Sequence, residues 1–117
     1  VLPRHARLTS PNDFARTTKS GIRLTSKSLV LYFYATNNEE PARFGLIVGK
    51  SVGGSVVRHR VARRLRHSLR EHMVAFPSGS LVVVRALSNS ANLLSTNLSE
   101  ELEASTQKLL ERSAISR

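Results

Sequence analysis

Between Lys50 and Arg70 the chain carries seven basic side chains, Lys50, Arg58, Arg60, Arg63, Arg64, Arg66 and Arg70, and no Asp or Glu. A guanidinium is planar, permanently charged and able to donate two parallel hydrogen bonds to one phosphate. Such a run without nearby carboxylates is therefore suited to holding a polyanion rather than to breaking a bond. Other sets with chemical potential fall short of a catalytic or metal centre. Gly45-Leu-Ile-Val-Gly49-Lys50-Ser51 imitates a phosphate-binding loop, but three residues separate its glycines where four are required, and Leu46-Ile47-Val48 has strand character. What remains for Gly49 and Lys50 is a tight turn carrying a phosphate contact. His5, His59, His67 and His72 lack metal-ligand spacing and there is no Cys, so no metal site is expected on the protein. There is no Ser-His-Asp pattern, and the carboxylates that gather toward the C-terminus are expected to face solvent.

The basic residues need an element to display them. Phe44, Leu46 and Val48 alternate with Gly45 and Ile47, predicting a short buried strand over 44–48, and Gly49, Gly53 and Gly54 then break the pattern. A helix follows with Ser55 as its N-cap. At 100° per residue Val57, Val61, Leu65, Leu69 and Met73 share one arc, and Arg60, Arg63, Arg64, Arg66 and Arg70 lie opposite. One arc is core, and the other must face water or an external polyanion.

Upstream, residues 1–9 carry Arg4, His5 and Arg7 with little periodicity, predicting an extended basic arm ordered by a partner. Ser10, Pro11 and Asp13 form a helix start and Gly21 a stop. Phe14 is the only large apolar residue between them, so this short helix must lie against a sheet. Strands are expected over 22–25 and 29–35. The second is apolar on both sides and hence central, and 43–48 returns as the next antiparallel strand. After Pro77-Ser78-Gly79 come a strand over 81–85, a polar loop over 88–96, and a last helix capped by Asn97 with Leu98, Leu102 and Leu109 on one side.

The chain has 117 residues, a size for one domain over 1–117, and a formal net charge of +10, with 14 Arg against 4 Lys. This points to nucleic acid as partner. No apolar run approaches the ~20 residues of a membrane helix, and no export signal is visible, which fits a cytoplasmic protein with no membrane partner. The Asn97-Leu98-Ser99 sequon then reads as a helix start. Helix-turn-helix DNA binding is disfavoured because a strand precedes the basic helix. RNA fits better: Tyr32 and Tyr34 on a sheet face could stack bases, though Tyr32 serves equally well as a core residue.

The order strand, Gly-Lys turn, then Val56-Val57-Arg58-His59-Arg60-Val61-Ala62-Arg63-Arg64-Leu65-Arg66 resembles the signature of the bacterial ribonuclease P protein component, the basic subunit that assists a catalytic RNA. Asp13-Phe14, Gly21 and the Leu-rich C-terminal end extend the resemblance over most of the chain, with high specificity only between Phe44 and Arg70. It implies an α+β fold, a single-domain α/β sandwich of order αβββαβα. Its four-stranded mixed sheet would have an unusual left-handed βαβ crossover, as in the second domain of a small-subunit ribosomal protein. It also implies the reaction, endonucleolytic removal of the 5′ leader of precursor tRNA, with the catalytic RNA and its bound magnesium doing the cleavage and no small-molecule substrate. Carried over, Lys50, Arg58, His59, Arg60, Arg63, Arg64, Arg66 and Arg70 meet the catalytic RNA, while Arg7, Phe14, Lys19 and Tyr32 serve the leader. The chain departs from the signature at Gly54 and Ala62, where Lys is usual, at His59, where Asn is usual, and at Thr18, where a second Phe is frequent. The alternative is a ribosomal protein that binds ribosomal RNA structurally.

Overall fold

The computed structural model describes residues 2–115. Its regular elements are α1 (Pro11–Ser20), β1 (Ile22–Thr25), β2 (Leu29–Ala35), β3 (Arg43–Ile47), α2 (Ser55–His72), β4 (Ser80–Ala86) and α3 (Ser95–Ile115). This is the expected α+β order. The four strands form one mixed sheet in the spatial order β1-β2-β4-β3. β1 and β2 are antiparallel, as are β2 and β4, while β3 and β4 run parallel.

That arrangement corrects the expected pairing of β3. It does not follow β2 as an antiparallel neighbour, because β4 lies between them. The physical reason is in β4 itself: Leu81, Val82, Val83 and Val84 are apolar at every position and all buried, so this strand needs cover on both faces and neighbours on both edges. β3 is shorter and half-buried at Leu46 and Ile47, as suits an edge.

Register sorts the two faces. On one, Leu29, Leu31 and Phe33 of β2 join Val82, Val84 and Phe44 under α2 and α3, which supply Val61, Leu65 and Leu69 and then Leu98, Leu102 and Leu109. These helical residues are completely buried, as the 100° arc requires. Phe76 closes this core, its ring 6.0 Å from that of Phe33 and 5.4 Å from that of Phe44. On the opposite face Val30, Tyr32, Leu81 and Val83 meet Leu8, with Phe14 of α1 and Tyr34 partly buried beside them.

Several local expectations are revised. The N-terminal arm is packed rather than dependent on a partner: Leu2, Ala6 and Leu8 are buried, Arg4–Ala6 makes a 3-10 turn, and the Leu8 N–H donates to the Phe44 carbonyl at 2.9 Å. The cap of α2 is Gly54, with Ser55 already helical. α3 starts at Ser95, and Asn97 accepts from the Leu94 N–H at 3.2 Å, reaching back over the first turn instead of capping it from outside. Nor do all the α3 carboxylates face solvent. Glu101 accepts from the Ser26 hydroxyl at 2.5 Å and the Ser28 N–H at 2.8 Å, fastening α3 to the β1–β2 turn. The start of α1 is as read, with Pro11 first and the Ser10 hydroxyl accepting from the Asp13 N–H at 3.4 Å.

Gly21 ends α1, but in an extended rather than left-handed conformation. Its need is space: an added Cβ would press on the Thr17 carbonyl oxygen and lie 2.6 Å from that of Phe33. Both are backbone atoms that cannot swing aside. Gly21→Ala is therefore expected to lower stability by about 2 kcal/mol in urea denaturation. Gly49→Ala, where a Cβ meets nothing within 4 Å, is the control and should change little.

Candidate nucleic-acid interface

α2 follows the parallel edge strand, so burying its Val61, Leu65 and Leu69 arc on the sheet turns its basic side chains toward the outer edge of β3 and toward solvent. His59, Arg63, Arg66 and Arg70 are exposed, as is Lys50 in the turn between β3 and α2. That turn closes through Val52 N–H to Gly49 carbonyl and Gly53 N–H to Lys50 carbonyl bonds, and Gly45 lies within β3, so no phosphate-loop cradle is formed. Among the described residues the ion pairs join Arg16 with Asp13, Arg43 with Glu40 and His67 with Glu71, and none involves the α2 arginines. Among the described residues no carboxylate compensates their charges.

The stripe is nevertheless not uniform. Arg60 donates to the Ala91 carbonyl at 3.3 Å and Arg64 to the Leu93 carbonyl at 2.7 Å, so both half-buried side chains tie α2 to the β4–α3 connection. This corrects the expectation that the whole arc lacks local partners. A carbonyl satisfies a donor without cancelling the charge, so both guanidiniums still add to the positive potential. Arg58 turns to the other side of α2, where its Nε is buried without an acceptor on the protein.

Two adjoining grooves run along the outer edge of β3, which the N-terminal arm bridges at Phe44. One, of about 270 Å³, is lined by Leu46, Val48, Ser55, Arg58, His59, Ala62 and Arg66. The other, of about 210 Å³, includes Arg7, Leu8, Phe14, Gly45, Leu46 and Arg66. Leu46 and Arg66 belong to both. Phe14 is half-buried over Gly45, where any Cβ would collide with its ring, so the glycine fixes the depth at which that aromatic sits. Arg7 is held by a bond from its Nε to the Leu2 carbonyl at 3.2 Å.

The leader-side residues read from the sequence are thus only partly brought together. Arg7 and Phe14 share a groove with Arg66, whereas Lys19 is exposed on α1 outside both grooves. Tyr32 is only 5% exposed, with the Arg85 guanidinium 5.8 Å from its ring centroid, and so presents little open π-face. Tyr34 is half-buried beneath Arg16, 5.0 Å away. The Thr18 hydroxyl is occupied by the Phe14 and Ala15 carbonyls.

Sequence reading missed Arg85 and Arg23. Register places Arg23, Tyr32, Val83 and Gly45 in one row across the sheet, and Thr25, Val30, Arg85 and Ile47 in the next. An exposed Arg interrupting a buried apolar strand was the available signal for Arg85. No group of three or more His, Asp or Glu side chains able to hold a metal occurs among the described residues.

Comparison with known proteins shows the family. The sequence profile of the Ribonuclease P family matches residues 2–111. The chain belongs to the ribonuclease P protein family. It is 42% identical over 108 residues to the ribonuclease P protein component of Mycobacteroides abscessus, covering 87% of this chain and 85% of that one. It is 38% identical over 118 residues to that of Streptomyces avermitilis, covering 94% and 96%. The fold is that of the RNase P protein of Staphylococcus aureus (TM-score 0.79, 22% identity, 87% and 93% covered) and of Thermotoga maritima (TM-score 0.74, 22% identity, 86% and 96% covered). As a ribonuclease P protein component the chain is a subunit of the holoenzyme that cleaves tRNA precursors, and it has an RNA partner there.

The division within the basic stripe is testable with that RNA. Arg63→Ala and Arg66→Ala should each reduce the log-log salt slope of binding by about 0.7 to 0.9, one phosphate contact apiece. Lys108→Ala, on the exposed side of α3, should leave it unchanged. Arg64→Ala should instead show itself mainly as lost stability, about 1.5 kcal/mol for a charged donor removed from a carbonyl.

Proposed function

We propose that the exposed basic side of α2 and its turn, with Lys50, Arg58, His59, Arg63, Arg66 and Arg70, meets the catalytic RNA of ribonuclease P, with Arg60 and Arg64 adding charge from behind. The groove of Arg7 and Phe14 receives the single-stranded 5′ leader of precursor tRNA. The observation that carries this reading is the sharing of Arg66 and Leu46 by both grooves, which puts an open aromatic and a run of uncompensated cations on one continuous edge. Phosphates are held by the cations, and a leader base stacks on Phe14. Stacking needs only a free π-face, so the presence of a leader is recognised more than its sequence. Tyr32 acts here by holding Arg85 against its ring, and Lys19 by longer-range attraction.

The protein supplies binding and positioning, and the chemistry belongs to the RNA. Magnesium, the ion that such a reaction employs, is poorly suited to this face: it needs oxygen ligands, whereas the side chains offered are guanidiniums, a lysine and an imidazole. Asp13 and Glu40 are each paired with an arginine. These side chains support the reading that the RNA holds the ion. No helix among the described residues is long and apolar enough to cross a membrane, and work on precursor tRNA in the cytoplasm agrees with a sequence without cysteine.

When reconstituted with the catalytic RNA, the protein should lower the magnesium concentration needed for cleavage of precursor tRNA. Phe14→Ala should reduce the preference for precursor over mature tRNA by about fivefold or more, from the ~1 to 3 kcal/mol of one stacked base. Equal weakening of both RNAs would remove Phe14 from leader binding. No change in magnesium requirement would favour a purely structural role such as ribosomal RNA binding.

A further inference from the structure

The α2 groove sets polar side chains, Ser55, Arg58, His59 and Arg66, beside aliphatic ones, Leu46, Val48 and Ala62, and phosphate binding accounts only for the polar set. Its floor is aliphatic, made by Leu46 and Val48 at the end of β3 and by the small Ala62 one turn along the helix from Arg58. The cations lie at its margins, Arg58 half-buried and Arg66 exposed, with the exposed His59 imidazole beside them and no carboxylate in the lining. A phosphate seeks donors and gains nothing from a floor of methyl groups. A planar base does: it buries both faces against apolar or aromatic surface while its edge takes hydrogen bonds. The half-buried Arg58 guanidinium lines the groove, and its terminal nitrogens can donate to a carbonyl or ring nitrogen of a base. At about 270 Å³ the groove is slightly smaller than the sites of about 300 to 1,000 Å³ that take drug-sized ligands, which suits one base with its sugar outside.

The size of the groove depends on residue 62. A long side chain there would lie across the space between α2 and Val48, whereas alanine leaves it open. His59, one helical turn from Arg63 and three residues before Ala62, brings the only aromatic ring to that margin. Both positions are departures of this chain from the signature described above, and both line the same groove.

We infer that the groove between β3 and α2 is a receptor for one unpaired nucleobase of the partner RNA, seated on Leu46, Val48 and Ala62, stacked by His59 and hydrogen-bonded by Arg58. This rests on the RNA-binding reading and adds a base-dependent contact to it. Such a contact gives register along an RNA that phosphate contacts alone cannot supply.

The test uses the four nucleoside 5′-monophosphates, ribose 5-phosphate and inorganic phosphate as probes of the whole protein, read by methyl chemical shifts of Leu46, Val48 and Ala62. The nucleotides should shift these methyls, and ribose 5-phosphate should not. Identical shifts from ribose 5-phosphate or phosphate would show an anion site only and overturn the inference. In the holoenzyme, Ala62→Leu, which fills the groove, and His59→Ala, which removes the ring without adding bulk, should each weaken RNA binding about tenfold while leaving its salt slope unchanged. Retention of full affinity by both folded variants would overturn it, and so would a loss of affinity accompanied by a reduced slope. Failure of the unsubstituted protein to bind the RNA at all would be a different result, since it would remove the RNA-binding reading itself.

Discussion

The arrangement depends on β4 lying between β2 and β3. An unbroken run from Leu81 to Val84 has no polar position to leave in water, so it must sit where both faces and both edges are covered. With β2 on one side of it, β3 becomes the parallel outer strand, and the chain between β3 and β4 has to cross over the sheet as α2. The helix that carries the cations is thereby laid beside an outer strand that the N-terminal arm pairs at Phe44. Had β3 paired with β2, that edge would not exist, and the grooves at Leu46 and Arg66 would not form.

From this placement the electrostatics follow. Burial of Val61, Leu65 and Leu69 fixes the rotation of α2, and rotation alone decides that Arg63, Arg66 and Arg70 point outward while Arg60 and Arg64 reach the carbonyls of Ala91 and Leu93. The acidic residues that make contacts do not pair with the α2 arginines. Asp13 and Glu40 are consumed by local arginines, Glu101 fastens the β1–β2 turn, and Glu71 faces His67. The edge of β3 is left with positive charge that a polyanion can neutralise, and the cost of that self-repulsion in the free protein is offset by a core sealed on both faces of the sheet.

Much of this was legible in the sequence because it is written in local patterns. The α2 arc, the two-sided apolar run of β2, the start of α1 at Ser10 and Pro11, and the leucines of α3 all depend on a 3.6-residue period, on one short run or on one cap. What escaped depends on pairing across the chain. No local pattern states that Arg23, Tyr32 and Val83 share a row, that Glu101 will meet Ser26 and Ser28, or that Ala91 will offer its carbonyl to Arg60. The packed N-terminal arm was missed for a related reason: Leu2, Ala6 and Leu8 are too widely and irregularly spaced to form a stripe, yet each finds a separate niche, two of them in the larger core and Leu8 in the smaller. Phe14 and Arg7 entered through the family resemblance, but only the fold brings them into a groove with Arg66.

The central claim is that the α2 side of the β3 edge, and not the α3 side, meets RNA. Two exposed valines make it measurable: Val56 stands 79% exposed beside His59 and Arg63, and Val74 stands 97% exposed after the end of α2. Hydroxyl-radical footprinting of side chains, with and without the catalytic RNA, reads both in one experiment. The account predicts strong protection of Val56 and His59 with Val74 as reactive as in the free protein. Protection of Val74 with Val56 still open would place the RNA on the other side of the molecule and contradict it.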